Sequence, residues 1–264
     1  MSPKTMTKQQ NGILAEIRRR EMLEILNAQG HATVTELCGH FQVSPATIRN
    51  DLNELEAMKY LKRTHGGALS LGTSLELTSS EKVELHIQEK QAIAKMALPF
   101  IRQGQVIAID TGTTTFELAR LVSGIKGVTV ITNDLKIALF LEENSQNSVI
   151  FLGGTVRKKF HCTVGRSVLD QMDQLFVDTV FLATNAMDIE RGLSTPSIDT
   201  ADVKRKILHN ARARILLADS SKIARESLAR FATIDEMDVL ITDAGADAEF
   251  IRQVQAQNVR VIIA

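Results

Sequence analysis

Val43-Ser44-Pro45-Ala46-Thr47-Ile48-Arg49-Asn50-Asp51-Leu52 reads as a tight turn running into a helix. Ser44 is a good N-cap, and Pro45 falls at the first helical position, where its missing N–H is not needed. Ile48, Leu52 and Leu55 recur at i, i+4 and i+7 and form an inward stripe. The outward face opens with Ser44, Thr47, Arg49 and Asn50. Short or forked polar side chains at a helix N-terminus suit a helix that enters the major groove of DNA.

Working outward, three helical patterns follow one another. Ile13 to Ala28 carries Ile17, Met22, Leu23, Ile25 and Leu26 on one face and Arg18-Arg19-Arg20 on the other, and Gly30 ends it. Thr33-Val34-Thr35-Glu36-Leu37 opens a short helix to about Phe41, Gln42-Val43 is the turn, and Ser44 to about Lys59 is the third helix. Tyr60 to Leu69 is basic, contains Gly66-Gly67, and reads as a two-stranded wing. A plain three-helix bundle with solvated charges fits the same periodicity. The very short turn, the polar helix start and the cationic hairpin favour a winged helix-turn-helix over residues 12–70. Thr47, Arg49 and Asn50 are the candidates for base or near-base contacts, and Ser44, Lys62, Arg63 and His65 for phosphate contacts. Asp51 is expected to orient Arg49 or another basic side chain, because DNA phosphate repels a carboxylate.

Composition sets loose bounds. The 264 residues are 44% hydrophobic, enough for a small domain plus a medium one. Formal net charge is zero, split as +2 over the first 69 residues and −2 over the rest, so charge alone announces no partner. Cys38 and Cys162 make neither a disulfide framework nor a zinc spacing, and are expected reduced in a cytoplasmic protein. No apolar run is long enough to span a membrane, and the polar start Met1 to Gln10 is not a signal peptide.

Residues 71–88 read as a polar linker and a connecting helix that starts near Glu81 and continues to about Ile101. Beyond it, apolar strands alternate with amphipathic helices. Strands are expected at Val106–Asp110, Val128–Thr132, Val149–Leu152, Thr179–Ala183, Ile215–Ala218, Val239–Thr242 and Val259–Ile263. Helices are expected at Phe116–Leu121, Leu135–Glu142, Ala201–Ala213 and Ala248–Gln257. The strands are continuously apolar, as in a sheet buried on both faces, so residues 89–264 are expected to form a mostly parallel layered α/β domain. In such sheets ligands bind beyond the C-terminal strand ends. Asp110-Thr111-Gly112-Thr113-Thr114-Thr115, Thr132-Asn133-Asp134, Gly153-Gly154-Thr155 and Asp219-Ser220-Ser221-Lys222 all fall there. Each has a bland reading, since threonines often only cap helices and Gly-Gly is often only a turn. Four at matching strand ends point to a phosphate-binding rim.

Two sets of motifs carry a family resemblance. Thr35-Glu36-Leu37, Val43 to Glu56 and Arg63-Thr64-His65-Gly66-Gly67-Ala68 resemble the DNA-binding domain of the DeoR family of bacterial regulators. Asp110-Thr111-Gly112-Thr113-Thr114, Thr132-Asn133, Gly153-Gly154 and Asp219-Ser220-Ser221-Lys222 are similar to its effector domain. The resemblance implies a fold like that of ribose-5-phosphate isomerase, used to sense a phosphorylated sugar. It implies that Thr111, Gly112, Thr113 and Thr114 cradle the phosphate, and that Asp110, Asn133 and Lys222 face the sugar. Gly153 belongs to the same rim, and Arg157 adds a second cation or sits on a flap. Two departures stand out. Asn50 replaces a second arginine, leaving an amide that can read adenine. Ala183-Thr184-Asn185-Ala186-Met187-Asp188 replaces a turn rich in glycine and acid.

The resulting expectation is a transcriptional regulator, a repressor of a carbohydrate-utilisation operon. It binds double-stranded operator DNA as a homodimer or homotetramer and is controlled by a phosphorylated sugar or sugar acid, with no cofactor, metal or membrane. The rival is an isomerase-like enzyme with an accessory DNA-binding domain, in which Asp110, Asp188, Asp219 and Lys222 supply acid and base groups. Fold analogy alone does not argue catalysis, and the family is regulatory. A protein-interaction adaptor built on a winged helix is a third reading, disfavoured by Arg49, Asn50, Lys62 and Arg63 on one presumed surface.

Overall fold

The computed structural model describes residues 15, 17–19, 21–23, 25–26, 29–57, 60–64, 66–70 and 76–264. The chain divides into two compact units, 1–77 and 78–264. His65, a candidate phosphate contact, lies outside the described residues.

In the first unit, residues 15–29 are helical wherever described, and Gly30 closes them with a left-handed φ of 78° and its N–H on the Leu26 carbonyl. Strand β1 (His31–Thr33) follows, then α1 (Val34–Phe41) and α2 (Pro45–Ala57). Thr33 and Glu36 form a reciprocal capping box that starts α1, and Gln42 ends it with a φ of 52°. The Ser44 hydroxyl accepts the Thr47 N–H at 3.2 Å and starts α2. The stripe falls where the periodicity puts it: Ile48, Leu52 and Leu55 are buried with Met22, Leu26 and Leu37. The wing is larger than the expected hairpin. Strands β2 (Leu61–Arg63) and β3 (Gly67–Ser70) pair, and β1 adds to β3 as a third, antiparallel strand. Gly67 allows this closeness, because a Cβ there would lie 2.1 Å from the Ala32 carbonyl oxygen.

The second unit opens with α3 (Ser79–Lys82) and α4 (Ile87–Ala97). One connecting helix was expected, and the chain instead breaks at His86, whose φ is 52°. The break lets α4 pack on the sheet while α3 turns away under its own Thr78–Glu81 capping box. Seven strands then form one sheet: β4 (Val106–Ile109), β5 (Thr129–Thr132), β6 (Ser148–Phe151), β9 (Val177–Leu182), β12 (Ala211–Leu217), β14 (Val239–Thr242) and β15 (Arg260–Ile263). The spatial order is β15-β14-β12-β9-β4-β5-β6, and every neighbouring pair is parallel. Helices cover both faces. Alpha-helices α5 (Thr113–Val122) and α6 (Leu135–Asn144) join α4 over Ile107, Ile109, Phe181 and Ile215. On the other face α7 (Arg166–Met172), α8 (Ile198–His209) and α9 (Ala248–Ala256) cover Ala108, Val180, Leu182 and Leu216. Residues of one strand thus divide between two cores, which explains why the strands read as unbroken apolar runs.

Helix α8 ends earlier than its expected limit of Ala213, because Ala211 pairs with Val177 and begins β12. Helix α5 begins earlier than Phe116, with Gly112 as its N-cap. Two small additions stand beyond the C-terminal strand ends. Strands β7 (Thr155–Arg157) and β8 (Cys162–Val164) form a hairpin after β6. Strands β10 (Ala186–Asp188), β11 (Gly192–Thr195) and β13 (Ala229–Ala232) form a three-stranded sheet. Among the described residues no helix is long and apolar enough to cross a membrane.

Candidate functional site

Each unit carries one candidate site. On the first unit, Ser44, Arg49 and Asn50 are exposed along the start of α2. The Ser44 hydroxyl also bonds the Thr47 hydroxyl at 2.9 Å, so these two side chains fix each other. Asp51 is buried and accepts the Arg18 Nε–H at 2.6 Å, while Arg19 pairs with Glu54. Its partner is therefore the leading helix and not Arg49. Strand alternation separates the wing cations: Leu61 is buried, Lys62 points out, and Arg63 turns back onto α2. There the Arg63 guanidinium bonds the Asn53 side chain, and the Arg63 N–H donates to Glu56 at 2.7 Å.

On the second unit the sheet order supplies the site. The chain leaves β4 toward β5 and β6, then returns to the other side of β4 as β9. The loops after β4 and β9 therefore diverge and leave a crevice at the switch point. Asp110 to Gly112 and Ala183 to Asn185 are its two lips. Gly112 is the N-cap of α5, has a φ of 155°, and no side chain closes that helix terminus. A Cβ at 112 would meet the Ala183 Cβ at 3.1 Å and the Thr115 Oγ1 at 3.2 Å, so the lips already touch. Thr111, Gly112 and Thr113 are half-buried, while Thr114 is buried. Three backbone N–H groups at the positive end of a helix dipole suit an anion.

Under this rim lies a buried polar layer. Asp110 is 0% exposed; its Oδ2 is ion-paired with Lys204 and accepts the Ala183 N–H at 3.0 Å. Lys204, 2% exposed, also donates to the Ala183 carbonyl at 2.9 Å. The pair thus ties α8 to both lips. The Asp134 carboxylate accepts the Thr111 hydroxyl at 2.8 Å and caps α6 through the Lys136 and Ile137 N–H groups. Burial raises the Asp134 carboxyl above its usual range, against the bonds from Thr111, Ile137 and Lys136. Asn133 is 1% exposed and donates to the Thr163 carbonyl at 2.9 Å. Burial, reinforced by Asp134, pushes the Cys162 thiol up to about 11, against the opposing Arg157 and Lys204 charges. Arg157 lies 3.8 Å over the Phe160 ring. Both backbone groups of Gly153 are taken by the Gln171 carboxamide, at 3.2 and 2.7 Å.

At the end of β12, Asp219 is buried and caps its turn through the Ser221 N–H at 3.1 Å. Lys222 donates to the Ser221 hydroxyl at 2.8 Å and stands 3.7 Å from Asp219. Burial alone would raise the Asp219 carboxyl; the Lys222 charge, the Ser221 hydroxyl and the His86 and Lys90 charges outweigh it and hold the group below its usual range. Asp110 Oδ1, Asn133 Oδ1, Asp219 Oδ2 and Thr242 Oγ1 are buried polar atoms without a hydrogen-bond partner among the described residues. All four sit at or just past C-terminal strand ends. Among the described residues no group of three or more His, Cys, Asp or Glu is placed to hold a metal ion.

Residues 18–74 match the family model of the DeoR-like helix-turn-helix domain, and residues 85–244 that of the DeoR C terminal sensor domain. The chain belongs to the DeoR family. It is a DNA-binding transcriptional regulator whose second unit is a sensor domain. It is 36% identical over 246 residues to the HTH-type transcriptional regulator GlpR of Haloferax volcanii, covering 93% of this chain and 96% of the relative. It is 33% identical over 249 residues to the putative aga operon transcriptional repressor of Escherichia coli O157:H7, with 93% of each chain covered. The glycerol-3-phosphate regulon repressor of Escherichia coli K12 is 30% identical over 227 residues, 86% of this chain and 90% of the relative. Among solved structures, a D-ribose-5-phosphate isomerase in complex with phospho-erythronic acid aligns at a TM-score of 0.40 and 20% identity, covering 52% of this chain and 54% of that one.

Three residues of the sensor unit escaped sequence reasoning. Lys204 reads as one more charge in Val203-Lys204-Arg205-Lys206, and only its place between Ala201 and Leu208 on the buried stripe of α8 marks it. Asp134 was visible only as part of the strand-end run Thr132-Asn133-Asp134, not as the α6 cap or the partner of Thr111. Cys162 comes beside Asp134 only because β8 bridges to it, which no local pattern announces.

Proposed function

We propose that this DeoR regulator is a repressor of a carbohydrate-utilisation operon and that a phosphorylated sugar or sugar acid releases or alters its grip on the operator. The observation that carries this reading is the chemistry of the strand-end crevice. Thr111, Gly112 and Thr113 are half-buried there, and the start of α5 has no side-chain cap on its N–H groups. Such a helix start suits anions. The relatives named for the glycerol-3-phosphate regulon and the aga operon support the same ligand class and the repressor role.

The acid and base groups that an isomerase would need are held in internal bonds. Asp110 is paired with Lys204, Asp219 caps a turn, and Asp188 accepts the N–H groups of Glu190 and Arg191 at 2.9 and 3.0 Å. We therefore read the domain as a sensor without turnover. On the first unit, Thr47, Arg49 and Asn50 read bases, while Ser44, Lys62 and His65 serve phosphates; Arg63, expected among them, is turned back onto Asn53 and braces the wing against α2. Within the effector site, Thr111, Gly112, Thr113 and Thr114 hold the phosphate, and Arg157 and Lys222 neutralise it. Asp110, Asn133 and Gly153 shape the pocket from beneath. The protein acts in the cytoplasm as a homodimer or homotetramer, which matches the two half-sites a helix-turn-helix reads.

The test is a thermal-shift titration of the whole chain with glycerol 3-phosphate, pentose and hexose phosphates, and phosphorylated sugar acids. A true effector raises Tm with dose, by the equivalent of about 2.7 kcal/mol at a hundred times its Kd. The Thr113→Ala, Lys222→Ala double variant abolishes the rise. A rise that survives the double variant places the site elsewhere, and sustained isomerisation of any panel member restores the enzyme reading.

A further inference from the structure

The hairpin β7–β8 is bonded to two separate parts of the sensor unit. Its second strand and the residue before it are bonded to the end of β5 and the start of α6: the Thr163 N–H donates to the Asn133 carbonyl at 2.9 Å, and the His161 carbonyl accepts the Leu135 N–H at 2.8 Å. Its tip is bonded to the start of the sensor unit: the Lys159 carbonyl accepts the Ser79 N–H at 3.2 Å, and the Phe160 carbonyl accepts the Ser79 hydroxyl at 2.9 Å. Phe160, the residue that receives Ser79, also lies under the Arg157 guanidinium. On either side of it, Lys159 and His161 are held in left-handed backbone, with φ of 71° and 56°. Non-glycine residues rarely adopt that conformation, and where they do the strain often marks a segment with two arrangements. Arg157 pairs across the hairpin with Cys162, Cys162 bridges to Asp134, and Asp134 holds the Thr111 hydroxyl, so Arg157 lies in one row of residues that ends at the anion-binding lip.

We propose that residues 157–161 pass the occupancy of the sensor site to Thr78–Lys82, the first turn of the sensor unit, by trading the Arg157–Phe160 stack for a contact between Arg157 and the ligand's phosphate. The trade frees the Phe160 ring, relaxes the left-handed pair beside it and releases the two Ser79 bonds. Thr78 and Ser79 directly follow the segment that leads from the DNA-binding unit, so a change there alters how that segment is anchored. The inference rests on the strand-end crevice being the phosphate site.

Ser79 provides an unusually clean variant. It is the first helical residue of α3, where proline is tolerated, and Thr78 before it already has the extended φ of −61° and ψ of 160° that a following proline requires. Ser79→Pro therefore removes both donors to the hairpin while keeping the α3 start. Ser79→Ala removes only the hydroxyl bond and serves if the proline variant folds poorly. The experiment is amide hydrogen exchange on the whole chain, with inorganic phosphate as probe against chloride at equal ionic strength. Phosphate should slow exchange at residues 113–116 and speed it several-fold at 79–83 in the native sequence. In Ser79→Pro the slowing at 113–116 should persist, while 80–83 exchange fast with or without phosphate; in Ser79→Ala the response at 79–83 should shrink. Protection at 113–116 with no change at 79–83 in the native sequence overturns the relay and leaves the phosphate site standing. No protection at 113–116 overturns the site and the relay with it. An undiminished response at 79–83 in either variant shows that the Ser79 bonds are not the link.

Discussion

The helix-turn-helix unit and the sensor unit recognise charge in opposite ways. The first displays it: Arg49 and Lys62 are exposed side chains on a helix start and an outward strand position, with the neutral Asn50 exposed beside Arg49. The second hides it: Asp110, Lys204, Asp134 and Asp219 are buried and bonded, and the start of α5 beside Asp110 has no side-chain cap. The difference follows from the partner. DNA presents a long, fixed polyanion, so solvated cations suffice to grip it and side chains that reach the base edges read it. A small ligand has to be enclosed, and enclosed charge is tolerated only when paired and hydrogen-bonded.

The largest expected effect is in the hidden set. Lys204→Met leaves the Asp110 carboxylate buried without its cation and should cost about 3–5 kcal/mol in urea unfolding. Adding Asp110→Asn should recover part of that loss; a single variant as stable as the native chain would mean the pair is not buried as described. In the displayed set, Arg49→Ala should leave the unfolding midpoint in place and weaken operator binding by about 1–3 kcal/mol, with relaxed sequence preference. Unchanged operator affinity would remove Arg49 from the reading face. Lys62→Ala is the milder counterpart. Binding should weaken on all sequences alike, and the slope of log K against log salt should fall by about 1. Loss of preference at one base pair instead would make Lys62 a reader of bases.

The smallest effect tests how burial acts on one carboxyl. Burial raises Asp134, so the folded chain holds that proton more tightly than the unfolded chain does. The resulting stabilisation is full below the ordinary value of 3.8 and is lost as pH rises through the folded value. Asp134→Asn keeps an oxygen able to cap α6 and lacks this titration. The variant should therefore gain on the native chain as pH climbs from that value toward neutrality. Parallel stability curves would show that Asp134 is not desolvated.

Particular residues show where sequence reading succeeds. The stripe Ile48, Leu52, Leu55, the Ser44 cap and the exposed Arg49 and Asn50 are consequences of one helix period, so the single stretch from Ser44 to Leu55 was enough to place them. The seven strands of the parallel sheet were likewise visible as apolar runs, because the inner strands are covered on both faces and even the edge strands β6 and β15 keep mostly apolar side chains. The breaks were not. His86 interrupts what reads as one connecting helix, and β1 joins the wing through a contact only Gly67 permits. The short strands of the hairpin and of the small sheet β10-β11-β13 lack any period long enough to read. In the site, the Asp110–Thr114 loop was legible as a glycine before a helix start, but its support was not. Lys204 lies 94 positions from Asp110 in sequence.

The sequence alone determined the two-part plan, the exposed polar start of α2 and the glycine that opens α5. Each of these depends on neighbours within one or two turns of chain, where spacing dictates geometry. Only the tertiary structure decided that Arg63 turns back onto Asn53, that Asp51 belongs to Arg18, that Lys204 neutralises Asp110, and that Ser79 is bonded to the tip of the β7–β8 hairpin. Those pairings join groups distant along the chain. Burial selects them, because a charge or donor that loses water must find whatever partner the packed fold brings within reach.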